Sequence, residues 1–185
     1  MNARRSDTRE RIQQVALELF AERGYEKTSL REVAERLQIT RPALYYHFKA
    51  KEDILNGVIE DLNRSIDELA GWAAAQPRTD AARRAILDRI SALLQGQWRP
   101  LVRFAQVNQA VMSELPAGEE MRHRMMKIVS VLARPEDELI RQFEAKLAVI
   151  ALIMGSASFL LGPDVSDEEQ AATALAVAVK LASGR

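Results

Sequence analysis

No cysteine occurs among the 185 residues, so disulfides and thiolate metal sites are excluded. Histidine is almost as scarce: His47 and His123 are the only two, and neither stands in HExxH or another ligand spacing. No metal site and no cofactor are expected. Neither GxSxG nor a glycine-rich phosphate loop is present, and without a thiol nucleophile the sequence shows no catalytic constellation. Carboxylates cluster at Glu119-Glu120, at Glu136 to Glu138 and at Asp164 to Glu169, all predicted helix starts, where they complement the helix dipole without any catalytic role. Long hydrophobic runs are missing too. The longest weakly polar run, Leu147 to Gly162, holds Gly155, Ser156 and Ser158 and falls short of the ~20 apolar residues that a bilayer span needs. No apolar run follows Arg4 and Arg5, so no secretory signal is expected and a cytoplasmic protein is predicted.

What the chain does have is most concentrated between Thr28 and Lys51. Leu30, Val33, Ala34 and Leu37 recur at helical spacing, and Ser29 followed by Glu32 forms a capping-box start. A second short helix follows, with Thr40 as N-cap, Pro42 in the first turn and Leu44 and Phe48 as its inward face. Its other side presents Arg41, Ala43, Tyr45, Tyr46 and His47, with Lys49 and Lys51 just beyond. Such a surface suits a nucleic-acid groove, because arginine reads a guanine edge bidentately, tyrosine hydroxyls hold phosphate oxygens and lysine neutralises backbone charge. Two helices at a tight turn make a helix-turn-helix. Net charge is zero overall, yet residues 1 to 51 hold eleven Lys or Arg against seven Asp or Glu, a balance of +4, and the remainder carries −4.

The segment from Leu19 to Leu55, with LFAERGYEKTSLREVAERL followed by ALYYHFKAKEDIL, resembles the DNA-binding region of the TetR family of bacterial regulators. Gly24-Tyr25, Thr28-Ser29, Val33-Ala34 and the run from Leu44 to Lys49 all fall at the family's spacing, over about the first third of the chain. The family usually has glycine at the tight turn, where Gln38 stands here; a left-handed Gln38 stores roughly 1 to 2 kcal/mol of strain. The resemblance implies a palindromic operator bound by a homodimer, and an all-helical carboxyl-terminal domain for ligand binding and dimerisation. At matching positions it implies Arg41, Ala43, Tyr45, Tyr46 and His47 in the groove, Arg31 near base or backbone, and Thr28, Thr40 and Lys51 on phosphates.

Residues 1 to 6 read as an arm, either a frayed tail or a reach of Arg4 and Arg5 to phosphates or a minor groove. A platform helix is predicted from Asp7 to Arg23, ended by Gly24, and a long fourth helix from Lys51 to Gln76-Pro77 that touches both parts of the protein. Further helices are expected at about 79 to 95, 98 to 114, 117 to 133, 136 to 161 and 167 to 183. No strand pattern, internal repeat or long linker competes with them.

The last two of these helices are apolar almost all round, so they are either core helices of a monomer or halves of a four-helix bundle between two chains. Gly155, Ser156, Ala172 and Ala176 permit close approach in that bundle, and a twofold homodimer through about 136 to 161 and 167 to 183 is expected. Helices four to seven enclose a predicted, mainly apolar pocket for a small-molecule effector, with Trp72, Trp98, Phe104, Met112, Met121 and Met125 as candidate lining. Asn108 falls within an apolar stripe, as a core amide satisfied by backbone or as a ligand-orienting group.

The expected fold is all-α with about nine helices: a helix-turn-helix DNA-binding domain over residues 1 to 51, packed on a helical ligand-binding and dimerisation domain over 52 to 185. The expected function is transcriptional regulation, as a repressor released by a small apolar ligand. The alternative is a helical partner-binding module without sequence-specific DNA binding.

Overall fold

The computed structural model describes residues 2–96, 98–114, 116–133, 137–155, 162 and 164–183. Ten helices and no strand form among them: α1 (Asn2–Arg23), α2 (Leu30–Leu37), α3 (Arg41–His47), α4 (Lys51–Ala74), α5 (Asp80–Gln95), α6 (Arg99–Val107), α7 (Gln109–Glu114), α8 (Pro116–Leu132), α9 (Leu139–Met154) and α10 (Asp167–Ser183).

The amino-terminal caps follow from the residues present. Gly24 closes α1 at φ 91°, a conformation that glycine adopts without steric cost. Ser29 Oγ accepts the Glu32 N–H at 3.3 Å, and Glu32 Oε2 accepts the Ser29 N–H at 2.8 Å, completing the capping box of α2. These contacts hold the Glu32 carboxyl below its ordinary range, the backbone bond from Ser29 contributing most. Thr40 Oγ1 accepts the Ala43 N–H at 3.3 Å and so starts α3. Asp53 Oδ2 accepts both the Lys49 and the Ala50 N–H groups at 2.9 Å and starts α4.

Two expectations require correction. The first helix begins at Asn2 rather than Asp7, since Ala3, Arg4 and Arg5 are good helix formers with no breaker among them; the side chains of residues 1 to 6 lie outside the described set. The single helix expected over 98 to 114 is divided at Asn108, which leaves helical geometry at φ −117°, ψ 48°. The Asn108 amide donates to the Phe104 carbonyl at 3.1 Å, an example of a short polar side chain competing with the backbone ladder. The stretch 156 to 161 of the helix expected over 136 to 161 lies outside the described residues.

One buried cluster runs through the whole chain, from Ile12 and Phe20 in α1 through Leu44, Ile66, Leu87 and Phe104 to Ala148 and Ala178. The α1 platform meets α6 directly: Phe20, Tyr25 and Phe104 form an aromatic triad with centroids 5.0 to 5.9 Å apart. On the other side of α4, Asp67 accepts from Arg124 Nε at 2.8 Å and lies 3.5 Å from Lys127 Nζ, tying α4 to α8. That hydrogen bond from Arg124 holds the Asp67 carboxyl below the usual carboxylate range.

Helices α9 and α10 pack closely against each other. A Cβ added at Gly155 would lie 2.0 Å from Ala174 Cβ, so this glycine serves packing within the chain rather than the approach of a second chain. Ala172 and Ala176 are exposed, whereas Ser156 lies outside the described residues. At the carboxyl end, Arg83 Nη1 donates to the Ala182 carbonyl at 3.1 Å and holds α10 to α5.

Candidate nucleic-acid interface

The platform for α3 is the pair α1 and α2. Arg23 pairs with Glu32 at 3.0 Å and Arg36 with Glu22 at 3.2 Å, while Leu30, Val33 and Ala34 are buried between the helices. Between α2 and α3 the chain turns at Gln38, which is left-handed at φ 56°, ψ 36°. The Gln38 N–H donates to Glu35 O and the Ile39 N–H to Ala34 O, both at 3.1 Å, so the turn is held by the carbonyls that α2 leaves unpaired. Leu44 and Phe48, 0% and 2% exposed, then anchor α3 from beneath. Fully burying one such side chain contributes about 1.5 to 3 kcal/mol.

What remains outside is the reading face. Arg41, Ala43, Tyr45 and Tyr46 are exposed, the two tyrosines by 44% and 60%, and His47 is half-buried with its ring edge-on to Tyr46 at 5.3 Å. Arg41 has no ion-pair partner among the described residues, in contrast to the arginines of α2. Arg31 is exposed too, but its Nε donates to Glu35 at 2.6 Å, which stabilises its charged form. Thr40 is exposed with its oxygen already accepting at the N-cap, so its hydroxyl hydrogen is left to donate.

Two of the residues expected on phosphates bond within the protein, Thr28 through its hydroxyl and Lys51 through one of its three ammonium hydrogens. Thr28 is 2% exposed; its hydroxyl donates towards Gly24 O at 2.9 Å and Leu19 O at 3.3 Å, and its N–H donates to Tyr25 O at 3.3 Å. It clamps the end of α1 and presents nothing to a phosphate, which corrects the expectation. Lys51 is half-buried, with Nζ 4.3 Å from the Tyr25 ring centroid and donating to Tyr25 O at 2.8 Å. The Tyr25 hydroxyl in turn donates to Glu52 at 2.9 Å; burial first, then this bond, raises the phenol well above its ordinary range.

The candidate effector residues are scattered. Phe104 is fully buried within the aromatic triad, Met112 is buried and Met121 half-buried, whereas Trp72 stacks under Arg89 at 3.8 Å. Asn108 is half-buried with its amide bonded to backbone, and the Met125 side chain lies outside the described residues. Of the set, Trp98 lines a cleft of about 630 Å³ between α1 and α4. Sequence reasoning passed over Asn63. It is 3% exposed on α4, and neither its amide nitrogen nor its oxygen has a partner among the described residues. The signal was an amide flanked by Ile59, Leu62 and Ile66 on the inward stripe of α4.

A left-handed turn between two short helices, a seven-residue helix exposing an unpaired arginine, and a helical body behind them define a helix-turn-helix protein. Residues 12–58 match the family model described as bacterial regulatory proteins, tetR family. The HTH-type transcriptional regulator AcrR of Shigella flexneri is 43% identical over 63 residues, 34% of this chain and 29% of its own length. The HTH-type transcriptional regulator TtgR of Pseudomonas putida is 31% identical over 74 residues, 40% of this chain and 35% of its own. Both matches thus span about a third of the relative. Over nearly the whole chain the fold is similar to the structure of the ketosteroid transcriptional regulator KstR2 of Mycobacterium tuberculosis, with TM-score 0.70, 16% identity and 93% of each chain covered. The amino-terminal segment is thus similar to the helix-turn-helix domain of the tetR family, and over nearly the whole chain the fold is that of the solved regulator structure.

Proposed function

We propose that this protein is a transcriptional repressor that reads a palindromic operator as a homodimer and is released by a small, mainly apolar effector. The observation that carries the reading is the exposed face of α3, where Arg41, with no ion-pair partner among the described residues, stands beside two exposed tyrosines on a buried Leu44 and Phe48 anchor. In this reading Arg41 contacts a base edge, Ala43, Tyr45, Tyr46 and His47 line the groove, and Arg31, Thr40 and Lys51 lie along the phosphates. Residues 1 to 51 form the reading domain and 52 to 185 the sensing and dimerising domain. No catalytic role is assigned, and the proposed target, chromosomal DNA, puts the protein in the cytoplasm. Among the described residues no helix is long and apolar enough to cross a membrane.

Dimerisation through α9 and α10 is supported by their exposed apolar residues: Leu139, Ile140, Phe143 and Ile150 on α9 are 83%, 63%, 61% and 50% exposed, and Val177 on α10 is 45% exposed. Asn63 supports effector binding next to α4, because an unpaired buried amide favours a ligand that brings a donor or an acceptor to it. An effector that shifts α4 would move α3 and spoil the spacing of roughly 34 to 36 Å that a dimer needs on successive major grooves. By linkage the operator complex then binds effector more weakly, with a coupling of about 1 to 3 kcal/mol.

Selection of bound sequences from random duplexes at several salt concentrations tests the reading. An enriched palindrome, with affinity that falls steeply with salt, is the expected outcome. Retention without a motif would sink it and favour the partner-binding alternative.

A further inference from the structure

A cleft of about 630 Å³ opens between α1, α4 and the turn before α6, away from the reading face and from the exposed face of α9. Its volume suits a small ligand, yet its walls are polar and charged. Of its five charged residues three are already engaged: Asp61 accepts from Gln13 at 3.2 Å and is ion-paired with Arg64, and Glu10 has a partner of its own. Two groups are left over. Arg9, from α1, lies against Gly57 of α4, where an added Cβ would come within 2.5 Å of its guanidinium, and its guanidinium carbon stands 4.8 Å from the Phe48 ring centroid. It is held in place yet has no carboxylate partner among the described residues. Glu68, exposed at the other end, likewise has no cation.

Gly57 and Glu68 are eleven residues apart on α4, so the two unpaired charges are separated by roughly 16 Å along the helix axis, less whatever the side chains lean inward. Between them lie an apolar floor from Leu17, Val58 and Trp98 and hydrogen-bonding groups from Gln14 and Ser65. A single ion satisfies only one end. A molecule with an anion at one end, a cation at the other and amides between satisfies all of it. An extended peptide spans about 3.3 to 3.6 Å per residue, so three or four residues bridge the charges.

We infer that this cleft is a binding site for short peptides with free ends, the carboxylate on Arg9, the α-ammonium on Glu68 and an apolar side chain on Trp98. The site does not depend on DNA binding. The test titrates the full chain, in a Trp72→Phe background that leaves Trp98 as the emitter, with tri- and tetra-alanine. Each peptide is used with free ends, with an acetylated amino end and with an amidated carboxyl end. The free peptides are expected to give a saturable change in Trp98 emission, and each blocking group to weaken binding about tenfold. Glu68→Gln should remove the preference for a free amine, and Arg9→Gln the preference for a free carboxylate. Because the Arg9 change also touches Phe48, the Glu68 variant and the blocked peptides decide the matter without relying on it. Free and blocked peptides binding alike, or no saturable change with any of them, would overturn the inference.

Discussion

At the scale of single residues, conformation and pairing separate the groups that hold the fold from those left for a partner. Gln38 has the left-handed conformation that glycine would adopt at no cost. Gln38→Gly is expected to raise stability by up to about 1 kcal/mol in urea unfolding. A loss instead would mean that the extra freedom of the unfolded chain outweighs the relieved strain. Arg41 and Lys51 are predicted to behave differently from each other. Arg41→Ala should cost about 1 to 3 kcal/mol on the preferred duplex and relax sequence choice. Lys51→Ala should weaken all duplexes alike, flatten the salt slope and also lower thermal stability, since its ammonium packs on Tyr25. Equal losses on specific and random DNA for Arg41→Ala would remove its role in base readout. At Asn63 the expectation reverses the usual sign for a core change. Asn63→Leu should stabilise the chain by about 1 kcal/mol, because two unpaired amide atoms leave a buried site. A fall in melting temperature would mean that the amide is satisfied by buried water.

At the scale of elements, two helices join the reading end to the rest. Helix α4 begins at the Tyr25, Lys51 and Glu52 contacts and continues past the Asp67 to Arg124 tie with α8; helix α6 places Phe104 between Phe20 and Tyr25. A displacement of either is therefore felt by the platform on which α3 rests. The α9 and α10 pair is set by a different device, the absence of a side chain at Gly155. Gly155→Ala should cost roughly 1 to 3 kcal/mol in urea unfolding, since Ala174 occupies the space that a Cβ requires. An unchanged midpoint would show that α10 shifts without cost.

At the scale of the whole molecule, four of the eight exposed large hydrophobic residues among the described residues, Leu139, Ile140, Phe143 and Ile150, stand on α9. Leaving Leu139, Ile140 and Phe143 in water is unfavourable, so a second copy is the proposed cover. Phe143→Glu is expected to shift the protein from dimer to monomer by at least about tenfold in dissociation constant, measured by sedimentation. The same variant should lose high-affinity operator binding while keeping its helical content. A dimer of unchanged stability would move the interface elsewhere.

The sequence by itself determined the local structure of the reading end. Periodicity, the Ser29 and Thr40 caps, Gly24 and the unusual Gln38 turn all depend on contacts within a few residues, which is why they were legible. The split at Asn108 was less so, because an amide in an apolar stripe is compatible both with bonding its own backbone and with facing a cavity. Only the tertiary structure decided that Thr28 is buried, that Lys51 packs on Tyr25, that Asn63 has no partner among the described residues and that Arg9 and Glu68 stand at opposite ends of one cleft. Each of those outcomes depends on what a residue distant in the chain places against it, and spacing along one helix carries no record of that neighbour.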